Sequence, residues 1–164
     1  MALGAQSDEA ARPALARGAG PRLWRAVPAA AALVFVAIAI LAARRETPTI
    51  DEFAHLPAGC VHLREGNFAP YSKNPPLVKL WMSLPVALDP SVAVPPFSGN
   101  PFGWGPWEYG RQFMDANRAA YFDLFFRARM MVVPLALAAA ALTWWWTLGL
   151  FGERAAAVAA ALFL

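Results

Sequence analysis

The chain has 164 residues, 59% of them hydrophobic and 15% charged, with a formal net charge of +3 at pH 7. Ordinary soluble domains carry about 25% charged residues, so the composition excludes that class, and the mean hydropathy of +0.40 agrees. The basic excess does not mark a nucleic-acid binder. Arg22, Arg25, Arg44, Arg45, Arg127, Arg129 and Arg154 flank apolar blocks, where membrane topology accounts for them. Cys60 is the single cysteine, which excludes an intrachain disulfide.

Residues 1–22 are rich in Ala, Gly, Pro and Arg without apolar periodicity, and they read as a disordered cytoplasmic tail. From Ala26 to Ala43 no side chain is charged, and the same holds from Met130 to Gly152. Each block approaches the ~20 residues that a helix needs to cross a ~30 Å hydrocarbon core. The spacing therefore predicts transmembrane helices over 23–43 and 129–151, with 155–164 as the truncated start of a third. A cleavable signal peptide is the rival reading of the first block, but its basic lead-in is long and another complete span follows. The expected fold is an all-α integral membrane protein whose long outer loop carries interfacial amphipathic helices. Arg12, Arg17, Arg22 and Arg25 precede the first span and only Arg44 and Arg45 follow it closely, so the positive-inside rule places the N-terminus in the cytoplasm. The expected location is the plasma membrane, multi-pass, with membrane lipids as partners and no nucleic acid.

Residues 44–128 form the first extracytoplasmic loop, with two or three short helices expected and no independent soluble domain. One helix is predicted over 51–66, with a kink at Pro57. A second is predicted over 76–88, where Leu77, Leu80, Leu84 and Leu88 share a face and Lys79 and Ser83 lie beside it. Between Pro90 and Gly110 the density of Pro and Gly argues against regular structure. Phe97, Phe102, Trp104, Trp107 and Tyr109 suit the headgroup level there. Residues 112–129 read as a helix leading into the second span.

Asp51 and Glu52 are the first candidates for chemistry, since carboxylates near a membrane are costly without a purpose. Thr49-Ile50-Asp51-Glu52 also fits a capping box, which would use Glu52 and leave Asp51 free. On a helix Asp51, His55, Gly59 and His62 share a face, so His55 can reach Asp51 or a common ligand. A zinc site from Asp51, His55 and His62 is disfavoured, because no second ligand cluster is visible and no metal is assigned. Lys73-Asn74-Pro75-Pro76-Leu77-Val78-Lys79 reads as a helix start, or as an anion site made by Lys73, Asn74 and Lys79 with that helix N-terminus. Arg129 could join it, or could simply snorkel at the interface.

The order Asp-Glu-x-x-His-x-x-x-Gly (Asp51 to Gly59) and then Pro-Pro-Leu-x-Lys (Pro75 to Lys79) resembles the first outer loop of family-39-type glycosyltransferases of the GT-C class. Tyr109-Gly110-Arg111-Gln112-Phe113, Ala128-Arg129 and Phe151-Gly152-Glu153-Arg154 extend the resemblance, which runs from about residue 25 to the end. It implies the N-terminal part of a polytopic enzyme that moves a sugar from a polyprenyl-phosphate donor to a protein, lipid or glycan acceptor on the outer face. It implies inversion, with Asp51 as general base, Glu52 and His55 beside it, and Lys73, Asn74, Lys79 and Arg129 on the donor phosphate. No cofactor is required by that scheme, although some relatives use a divalent cation. Relatives carry His or Lys where this chain has Asn74, a neutral amide that can donate to phosphate without neutralising it. The segment alone is expected to be inactive. The competing reading is a non-enzymatic polytopic protein, a transporter or assembly factor, in which Asp51-Glu52 only cap a helix.

Overall fold

A computed structural model describes residues 21–164, with side chains from Trp24 onward, so the tail assigned to 1–22 lies outside the described residues except for Pro21 and Arg22. Those two open the first helix. Six helices follow in order: α1 (Pro21–Arg45), α2 (Ile50–Glu65), α3 (Pro76–Ala87), α4 (Gly105–Ala116), α5 (Tyr121–Phe151) and α6 (Glu153–Phe163). There is no strand among the described residues.

Two of these helices are long and apolar enough to cross a membrane: Trp24–Arg45, with mean hydropathy 2.6, and Tyr121–Phe151, with mean hydropathy 1.6. At 1.5 Å per residue the 31 residues of α5 make a rod of about 46 Å. Helices α1, α5 and α6 pack mutually. Ala156, Ala157 and Ala160 form the buried face of α6, small enough for its backbone to approach its neighbours closely. Arg25 on α1 closes this trio at one end by a 2.7 Å ion pair to Glu153. Arg154 lies over the Trp24 ring at 5.9 Å.

The loop carries three short helices, and they pack into a layer around a shared core. Helix α2 packs on α3 and α4, and α3 packs on the first turns of α5. Leu56, Cys60, Val86, Phe113, Leu124, Phe125 and Ala128 are buried together at the centre. Two local expectations change. Regular structure resumes at Gly105, inside the Pro/Gly-dense stretch, because Pro106 falls in the first turn of α4, where its missing N–H costs nothing. The helix expected over 112–129 is broken at 117–120, where the Asn117 side chain bonds both the amide and the carbonyl of Ala93. Helix α2 continues through Pro57 without interruption. The proline cannot donate to Phe53, and the freed carbonyl is approached by Gly110, where a Cβ would collide with it.

Helix α3 is turned the other way from a soluble amphipathic helix. Leu77 and Leu88 stand 76% exposed, while Lys79, Met82, Ser83 and Val86 face the core. Gly59 lies where α2 meets α3, so close to Ser83 and the Lys79 carbonyl that any side chain would collide. That crossing delivers a lysine into the layer.

Candidate functional site

The two adjacent acids have separate environments. Glu52 closes the capping box with Thr49: its Oε2 accepts the Thr49 amide at 2.8 Å, and its own amide donates to Thr49 Oγ1 at 3.3 Å. The same carboxylate takes a two-pronged bond from Arg129, Nε to Oε1 at 2.8 Å and Nη2 to Oε2 at 2.7 Å. The remaining Arg129 hydrogens go to the carbonyls of Ala43, Glu46 and Thr47. All five guanidinium donors are therefore occupied. The sequence grouped Arg129 with the lysines; the structure groups it with Glu52, as a clamp joining the end of α1, the start of α2 and α5. Burial alone would raise the Glu52 carboxyl, but the Arg129 and Thr49 bonds outweigh it and hold the group below its ordinary value.

Asp51 is exposed and makes no hydrogen bond or ion pair among the described residues. Adjacent helical residues point about 100° apart, so fixing Glu52 toward Arg129 turns Asp51 to another side, toward His55. The His55 pKa is lowered, first by burial and then by the charge of Lys79, against an opposing pull from Asp51. Its Nε2 lies 3.5 Å from the Asn74 amide nitrogen, and its buried Nδ1 has no partner. Asp51, His55, Asn74 and Lys79 are thereby gathered in one neighbourhood. Lys73 is exposed on the turn beside them.

Lys79 is only 3% exposed. Its ammonium donates to the Tyr71 carbonyl at 2.5 Å and sits 5.1 Å from the centre of the Tyr71 ring. No carboxylate lies within ion-pair distance of it among the described residues. Burial lowers its pKa accordingly. A buried cation faced only by a carbonyl and a ring is costly until an anion joins it.

Two features here were missed by the sequence reading. Tyr71 adopts φ 57°, a left-handed conformation that costs a non-glycine residue on the order of 1 kcal/mol. It is held there by Lys79, by the His55 ring at 4.3 Å and by the Trp107 ring at 5.5 Å. His62 stacks on Phe68 and its Nε2 lies 2.9 Å from the Pro70 carbonyl, which fixes the 68–71 strap over the lysine. Among the described residues no group of three His, Cys, Asp or Glu side chains gathers as a metal site. An apolar groove of about 290 Å³ runs between α1 and α5 from Phe35 and Ala136 up to Glu46, Thr49, Glu52 and Arg129.

No family model, curated protein or solved structure matches this chain.

Proposed function

We propose that this chain is the N-terminal part of a membrane glycosyltransferase that moves a sugar from a polyprenyl-phosphate donor to an acceptor hydroxyl outside the plasma membrane. Helices α1 and α5 span, the N-terminus is cytoplasmic, and α2–α4 cover the outer face with the leucines of α3 toward lipid. The reading rests on the resemblance of Asp51–Gly59 and Pro75–Lys79 to family-39-type enzymes. The observation that carries it is the division between the two acids: Glu52 is locked by Arg129, while Asp51 is free beside His55 and a buried lysine without a counter-ion.

In this mechanism Asp51 removes the proton of the acceptor hydroxyl as that oxygen forms a bond to the anomeric carbon. The bond from that carbon to the phosphate oxygen breaks on the opposite face, and the configuration inverts. Polyprenyl phosphate leaves with the electron pair, and Lys79 supplies the charge that stabilises it in a low-dielectric site. Positioned proton removal contributes about 10²–10⁴-fold. The α1–α5 groove offers an apolar channel for a prenyl chain.

The test is Asp51→Asn in the membrane-reconstituted enzyme containing this segment. The expected result is turnover reduced at least ~10²-fold with insertion and donor binding retained. Normal turnover in that variant would overturn the assignment. A transporter or assembly factor would be indifferent to it.

A further inference from the structure

We infer that Tyr71, Trp107 and Trp104 form a stacking wall for a pyranose ring, the carbohydrate-binding part of the site at Asp51. The inference rests on the transferase reading for its context, but its geometry is independent of the chemistry assigned to Asp51.

The three rings step outward from the acid. His55, one turn from Asp51, meets the Tyr71 ring edge-on at 4.3 Å. Tyr71 meets Trp107 at 5.5 Å and 74°, and Trp107 meets Trp104 at 5.3 Å and 64°. Trp107 is pinned to the same helix start as the acid, because its Nε1 donates to the Ile50 carbonyl at 2.9 Å. The backbone that carries the outermost ring is fixed. The Trp104 carbonyl accepts the amides of Trp107 and Glu108 and so begins α4. The next residue, Gly105, is packed so tightly on the Asn100 carbonyl that no Cβ fits. Trp104 nevertheless leaves 74% of its surface open. An exposed aromatic face at the end of a ring series that begins one turn from an unpaired carboxylate is what a sugar ring recognises. Its C–H face packs on the ring while its hydroxyl rim reaches the polar groups.

Other flat or apolar occupants fit less well. A bilayer would press on a face with few charges, but beyond Trp107 the exposed surface of α4 carries Glu108, Arg111, Asp115 and Arg118 linked by ion pairs. The face suited to lipid belongs to α3, with Leu77 and Leu88.

Saturation-transfer NMR on this chain in detergent tests the proposal, with methyl hexopyranosides and pentopyranosides, the corresponding glycosyl 1-phosphates, and acyclic alditols as probes. The expected result is transfer to pyranose ring protons and none to alditols, with the apparent affinity falling about tenfold in Trp104→Ala. Trp104→Phe, which keeps a ring, should restore most of it. A preference for glycosyl phosphates would place the donor sugar on the wall, and equal binding of methyl glycosides would place an acceptor sugar there; either supports a pyranose site. No transfer to any pyranoside would overturn it. So would transfer unchanged in Trp104→Ala, or strong quenching of Trp104 by lipids brominated near the headgroup. The base assignment is read by turnover of Asp51→Asn and the wall by the NMR signal of the Trp104 variants, so the two fail separately.

Discussion

In the outer layer Leu56, Phe113 and Leu124 are wholly buried, whereas along the two long helices Leu33, Leu142, Trp145 and Trp146 are each more than 60% exposed. Both regions are apolar, so composition does not separate them; the direction in which the large side chains point does. The outer helices hide them from water around a shared centre, as a globular protein does. The long helices turn bulky side chains outward: past the outer core Ala140 is the buried residue of α5, and the apolar stretch of α1 buries none. Helix α3 joins the two patterns, with Met82 and Val86 in the core, Leu80 and Leu84 half-buried and Leu77 exposed. The candidate site lies on the side of this divide that has a buried centre.

Truncating one large side chain in each region tests the contrast most directly. Phe113→Ala should cost about 3–5 kcal/mol of outer-layer stability through the cavity it leaves. Leu142→Ala should stay within about 0.5 kcal/mol, as surface substitutions do. Thermal unfolding in detergent, followed with proteolysis, measures both, and equal losses would break the comparison. Arg129→Leu should cost about 3 kcal/mol, since it strands the Glu52 carboxylate and three carbonyls at once. Its signature is new protease sensitivity at residues 46–49.

Acid should separate the regions more gently. His55 and His62 have folded pKa values below the ordinary 6.5, so the unfolded chain takes up protons first. Stability from these groups is full above pH 6.5 and falls as the pH drops toward the lower folded values. Amide protection factors, corrected for the intrinsic pH dependence of exchange, should therefore fall in α2 and the 68–71 strap below pH 6.5, with those of α1 and the 130–151 part of α5 unchanged. The smallest effect is expected from Arg25→Ala. Its ion pair to Glu153 is largely exposed and contributes under about 1 kcal/mol, read as a slight fall in melting temperature.

These contrasts explain what could be read in advance. The two long apolar helices were visible because uncharged runs of that length favour an unbroken helix, and the capping box because Thr49 and Glu52 lie three residues apart. The pairing of Glu52 with Arg129 was not visible, since 77 residues separate them and no local spacing encodes the contact. The outer core escaped for a related reason. Its centre collects residues from α2, α3 and α5, with Phe113 from α4, and no single segment carries an apolar face wide enough to announce it. The leucine periodicity of α3 did not locate its core side: Leu77 and Leu88 are exposed, Leu80 and Leu84 half-buried, and Met82 and Val86 take the core. Tyr71 in a left-handed turn had no signal at all, because that conformation normally calls for Gly or Asn.

Helix α5 enters the outer core with Tyr121, Leu124, Phe125 and Ala128 and then continues unbroken along α1 and α6. The joint between the two regions is therefore a lever rather than a loop. The outer layer still grips α5 at Arg129 and at Met131, whose carbonyl accepts the Trp81 Nε1 proton, and Pro134, the proline within α5, comes less than a turn later. That proline removes the hydrogen bond to Met130, so bending concentrates just past the clamp. Rocking of the outer helices would carry Arg129 and Glu52 with them as one piece, and the tilt would be taken up below, in the long arm that ends at Phe151.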